Sequence, residues 1–111
     1  MITRVVRLTE RRSNLLVTST ISLLEVSVRP YRNQDISAVR DYYGYLTHLP
    51  LVKLVAVTSE IADRAAQLRA QYGFKIPDAI QLATALVEDT TLFLTRDRAF
   101  RKQKEIEIGI L

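Results

Sequence analysis

Ile76-Pro77-Asp78-Ala79 and Leu94-Thr95-Arg96-Asp97, both within residues 75–100, decide how this chain folds. The first reads as a helix start, because proline suits an opening turn whose N–H groups lack intrahelical partners. Ala79, Leu82, Ala83 and Leu86 then recur at helical spacing as an inward stripe that ends near Asp89. The second closes the apolar run Thr91 to Thr95, whose continuous hydrophobic character predicts a strand buried on both faces. Helix and strand each carry one carboxylate, Asp78 and Asp97, toward one edge of a sheet. Each also has a plainer reading: Asp78 at the positive helix end, Asp97 as a turn or cap residue.

Working outward, Leu15 to Thr18 predicts a short buried strand, followed by a helix capped by Ser19 or Thr20 with Ile21, Leu24 and Val28 on its inward face and Pro30 at its end. Glu25, four residues after Ile21 and three before Val28, then lies among apolar neighbours, where an ionised carboxylate needs a cation or dense hydrogen bonding. A helix starting at Asn33 or Asp35 carries Ile36, Val39, Tyr42 or Tyr43, Leu46 and Leu49 at helical spacing and closes near Pro50. Leu51 to Val57 predicts a second strand. Ser59 caps a helix with Ile61, Ala65 and Leu68 inward, which Gly73 stops. Ile106, Ile108 and Ile110 alternate with Glu105, Glu107 and Gly109, as in a strand near a sheet edge. At the N-terminus, Ile2, Val5 and Leu8 beside Arg4, Arg7 and Arg11 suggest a short helix, while the β-branched residues leave a strand open. Strands alternating with helices imply a parallel α/β sheet in one domain spanning 1–111.

Composition narrows the function classes. The 111 residues contain no cysteine, which excludes disulfides, thiolate metal sites and a cysteine nucleophile. No apolar run is long enough to span a membrane, Arg4 and Arg7 interrupt any signal-like segment, and the cytoplasm is the expected compartment. A net charge of +4 favours a polyanionic or acidic partner. Arg96, Arg98, Arg101 and Lys102 surround Asp97, and Arg29 and Arg32 follow Glu25.

Taken together, Glu25 in Leu23-Leu24-Glu25-Val26, Asp78 and Asp97 give a pattern that resembles the PIN-domain family of metal-dependent ribonucleases, in particular the toxin halves of VapBC-type toxin–antitoxin pairs. The resemblance covers nearly the whole chain. It implies a three-layer α/β fold with a parallel sheet flanked by helices. Glu25, Asp78 and Asp97 would hold Mg²⁺ or Mn²⁺, hard ions suited to carboxylate oxygens, for hydrolysis of an RNA phosphodiester. Thr95 would orient water or a carboxylate, and Arg96 and Arg98 would engage phosphate. A homodimer and a VapB-like antitoxin partner are implied too. The family opens with a strand bearing its first aspartate, whereas this sequence begins Met1-Ile2-Thr3-Arg4-Val5-Val6-Arg7-Leu8, so an N-terminal truncation is expected. Without that strand, the edges of segments 15–18 and 91–95 must close together, recruit another segment or leave the domain unstable.

Other classes stay open. A catalytically silent PIN-like module binding an antitoxin-like protein or RNA fits the same residues, and a receiver-like phosphoacceptor at Asp97 lacks the acid cluster its first strand needs. Asp41-Tyr42-Tyr43-Gly44-Tyr45 offers rings for base stacking, but helical spacing favours core or dimer packing. His48 has no spaced partner and reads as a surface or capping residue.

Overall fold

The computed structural model describes residues 4–10 and 13–111, with side chains described from Leu16 onward. Strands β1 (Arg4–Glu10) and β2 (Ser13–Ser19) lead into helices α1 (Thr20–Arg32) and α2 (Ile36–His48), then β3 (Val52–Val55), α3 (Ser59–Tyr72), α4 (Ile76–Val87), β4 (Leu92–Thr95), a 3-10 turn (Arg98–Lys102) and β5 (Glu107–Ile110). The sheet order is β3-β2-β1-β4-β5. Pairs β2–β3 and β4–β5 are parallel, and β1 runs antiparallel to both β2 and β4. The fold is α/β, with parallel strands flanked by helices and one reversed strand at the centre.

That central strand corrects the expected N-terminal helix. The inner edges of β2 and β4 would each bury unpaired backbone groups, and the β-branched Val5, Val6 and Thr9 suit the strand that satisfies them. Val6 faces Val17 on one side and Phe93 on the other, and Arg4 is the register partner of Thr95. Recruitment of this segment is thus how the sheet is completed. Ile2 and Arg11, also assigned to the expected helix, lie outside the described residues.

The core gathers on one side of this sheet from residues the helical and strand patterns select. Ile61, Ala65 and Leu68 of α3 and Ala79, Leu82 and Ala83 of α4 are buried with Val17, Phe93 and Phe100. Phe100 lies at a centroid distance of 4.7 Å from Phe93 and 5.1 Å from Phe74, an aromatic stack that ties the 3-10 turn to β4 and to the α3–α4 connection. Gly73 ends α3 in the left-handed region at φ 75°, where a side chain would be strained.

Several expected faces turn out differently. The buried stripe of α1 is Ser22, Val26 and Pro30, whereas Leu24 and Val28 are exposed. These stripes lie on different sides of the helix, and α1 packs its polar Ser22 inward because a buried partner on α4 receives it. Pro30 does not end α1, which continues to Arg32. Only the last turn follows it, so one backbone hydrogen bond is forfeited while its ring is buried. On α2 only Leu46 is buried, and Ile36, Tyr42, Tyr43, Tyr45 and Leu49 remain exposed. Core packing is therefore not the role of these tyrosines. Ser19 and Asp35 are the caps of α1 and α2, and Thr58, one residue before Ser59, caps α3 through its hydroxyl to Ile61 N at 3.2 Å. The strand expected over 51–57 is confined to Val52–Val55.

Candidate active site

The carboxyl ends of β2 and β4 release the chain into α1 and into the 3-10 turn, and α4 begins beside them. Asp78 falls in the first turn of α4, three residues after the cap position at Lys75, and is 7% exposed. Its charge faces the positive end of the helix dipole there. Asp97 follows β4 directly. Its backbone N–H donates to the buried hydroxyl of Thr95 at 3.0 Å, and its Oδ1 accepts the Ala99 N–H at 2.9 Å, capping the 3-10 turn. The Thr95 hydroxyl thus holds the backbone of Asp97, and the Asp97 carboxylate caps the 3-10 turn.

Glu25 sits in the second turn of α1 and is exposed. The expected position on the inward face is not found, because the buried face of α1 is that of Ser22, Val26 and Pro30. Glu25, Asp78 and Asp97 nevertheless border one open cleft of about 430 Å³ together with Gly73, Phe74, Lys75 and Lys102. The topology brings together three acids that are 53 and 19 residues apart in sequence (78 − 25 and 97 − 78). Among the described residues no three acid or histidine side chains form a ready-made metal cage. The oxygen donors do fit a Mg²⁺-like ion in kind, because such ions bind through one or two carboxylates and keep several waters.

Arg96 and Arg98 are exposed and are not among the residues bordering this cleft. Its cationic side chains are Lys75, which the sequence reading did not single out, and Lys102, one of the basic residues that surround Asp97 in the sequence. Lys102 is held with Nζ 4.6 Å from the centroid of the buried Phe74 ring. His48 lies at the end of α2, 2.7 Å from the Thr47 hydroxyl through Nδ1, and is not part of the cleft.

Beneath the acids lies a buried polar network that sequence reading also missed. Gln81 Nε2 donates to Ser22 Oγ at 2.6 Å, Ser22 Oγ lies 2.6 Å from Thr18 Oγ1, and the Ser19 N–H donates weakly to Gln81 Oε1 at 3.4 Å. Gln81 is one turn after Asp78 and Ser22 one turn before Glu25. This hydrogen bond therefore sets the approach of α1 to α4 directly under two of the acids.

The architecture has a counterpart among solved structures. A structure described as a toxin–antitoxin complex from Klebsiella pneumoniae aligns with a TM-score of 0.61 at 29% identity, over 79% of this chain and 68% of that one. Among curated proteins, none matches the chain. The model of the PIN domain family matches residues 3–106, nearly the full sequence, and the chain therefore belongs to the PIN domain family.

Proposed function

We propose that this chain is a metal-dependent endoribonuclease of VapC type, the toxin half of a toxin–antitoxin pair, working in the cytoplasm as a homodimer and neutralised by a VapB-like antitoxin. The observation that carries the reading is the shared cleft of Glu25, Asp78 and Asp97 in a PIN domain. The solved relative, a toxin–antitoxin complex, supports the partner. The exposed Leu24, Val28, Tyr31, Ile36 and Tyr43 on α1 and α2 offer the apolar surface that a protein partner or second copy covers.

PIN domains generally use divalent ions. When bound, Mg²⁺ or Mn²⁺ supplies positive charge at the scissile phosphate and lowers the pKa of a water nucleophile. Asp78, buried and backed by α4, is the rigid acid, Asp97 is oriented through Thr95 and the 3-10 turn, and Glu25 completes the set from the open side. Lys75 and Lys102 provide the cationic rim that a polyanionic backbone needs as it approaches three carboxylates. Arg96 and Arg98 act farther out, as contacts to flanking phosphates.

One observation favours a second reading, a catalytically silent module that keeps the partner surface: the register position beside Thr95 on the central strand is Arg4 and not a fourth carboxylate. Single-turnover cleavage of a mixed RNA pool with Mg²⁺ or Mn²⁺ separates the two. Cleavage that falls about 10²-fold or more in Asp78→Asn and Asp97→Asn supports the nuclease, given the cost of loosely positioned reacting groups. RNA left intact by the unsubstituted chain supports the silent module.

A further inference from the structure

The α1–α2 pair encloses a second cleft, of about 590 Å³, that meets the acid cleft at Glu25. Val26 and Pro30, both buried, form its floor. Arg29 and Asn33 come from α1 and its cap, and Tyr42, 41% exposed, comes from α2. We propose that this cleft is a subsite for one unpaired nucleotide adjoining the scissile phosphate, with the base stacked on Tyr42, its edge met by the Asn33 amide, and a flanking phosphate held by Arg29.

The proposal rests on the ribonuclease reading and deepens it by naming where the strand runs. Glu25 borders both clefts, so the two adjoin there, and a covalently continuous strand that passes Glu25 reaches both. The lining supplies what a nucleotide presents: an apolar floor and an aromatic face for the base, an amide with donor and acceptor for its edge, and a guanidinium for phosphate. The size falls within the range of small-molecule pockets. An acidic peptide fits less well, because it would carry carboxylates toward Glu25 and Asp35, which border the same cleft, with one arginine to meet them. Double-stranded RNA fits least, since its bases are not available for stacking on a side chain.

Binding is read by fluorescence anisotropy of a short labelled single-stranded RNA of mixed sequence on the full chain in EDTA, where no divalent-ion-dependent cleavage occurs. Tyr42→Leu is expected to weaken binding about tenfold, and Tyr42→Phe, which keeps the ring, to leave it nearly unchanged. Arg29→Gln is expected to weaken binding and reduce the slope of log affinity against log salt by about one. Tyr45→Leu, exposed but outside the cleft, serves as the control and should bind as the parent does. Should Tyr42→Leu not fold by circular dichroism, Arg29→Gln still decides the matter. Unchanged affinity in Tyr42→Leu or, where that variant does not fold, in Arg29→Gln, overturns the subsite, as does a glutamate-rich helical peptide whose binding depends on Tyr42 when that of RNA does not. If the subsite variants bind normally while Asp78→Asn still abolishes cleavage, the subsite is wrong and the nuclease reading stands. A parent chain that neither binds nor cleaves RNA ends both.

Discussion

Replacing Gln81 with leucine tests whether the polar network under the acids holds α1 against α4. The side chain is fully buried, so its two hydrogen bonds have no water to fall back on. The 2.6 Å bond to Ser22 contributes about 0.5–1.5 kcal/mol net, and the 3.4 Å bond from Ser19 contributes little by itself. Leaving a buried polar group short of a partner costs about 1–3 kcal/mol, although Ser22 retains Thr18 and leucine recovers some apolar burial. The net expectation for Gln81→Leu is a loss of about 1–3 kcal/mol. At roughly 4 °C per kcal/mol for a chain of this size, Tm falls by about 4–12 °C. Urea denaturation at constant m-value gives the loss directly. The variant Thr18→Val/Ser22→Ala/Gln81→Leu removes every side-chain partner together and should recover part of it, because only the weak 3.4 Å bond from the Ser19 N–H then loses its acceptor. A Gln81→Leu protein as stable as the parent, or a triple variant worse than the single one, would refute the argument that hydrogen bonding and not packing joins these helices.

Further outcomes follow from other parts of the molecule. Phe100→Ala should cost about 3–5 kcal/mol in urea, since it empties the stack between Phe74 and Phe93. Gly73→Ala should cost about 1–2 kcal/mol, because alanine must enter the left-handed region at φ 75°, and Gly73→Asn should cost less. Glu105 accepts the Tyr72 hydroxyl at 2.8 Å and the Arg64 guanidinium at 2.8 Å, and these, the tyrosine first, hold its carboxyl below the usual range despite some desolvation. A carboxyl lowered in the folded state stabilises above its unfolded pKa near 4.5 and loses that stabilisation as pH falls through the folded value. The urea midpoint of Glu105→Gln should therefore lie below that of the parent at neutral pH and converge with it at strongly acidic pH; a gap that widened on acidification would reverse the sign. Because the pair is largely solvated, salt should shrink the effect.

Much of this protein was legible from local pattern, because local pattern is what helix and strand periodicity encode. The stripe Ile61, Ala65 and Leu68, the proline-opened α4 and the glycine stop at Gly73 depend on near neighbours and are present as read, and the strand ending at Thr95 is present from Leu92, although half-buried Leu92 and Leu94 alternate with buried Phe93 and Thr95 where the apolar run predicts burial on both faces. The three acids could be named from the chain alone, yet their meeting in one cleft is a property of strand order, which no spacing expresses. Which face of an amphipathic helix turns inward is equally non-local. α1 buries Ser22 rather than Leu24 because Gln81, 59 residues later, is there to bond with it. The tyrosines of α2 fit a buried stripe by spacing and remain exposed because no further layer covers that helix among the described residues. The central strand shows the same limit. Residues with mixed helical and strand character became β1 because two edges, from β2 and from β4 far along the chain, needed their backbone groups paired, and only tertiary structure brings those edges to either side of it.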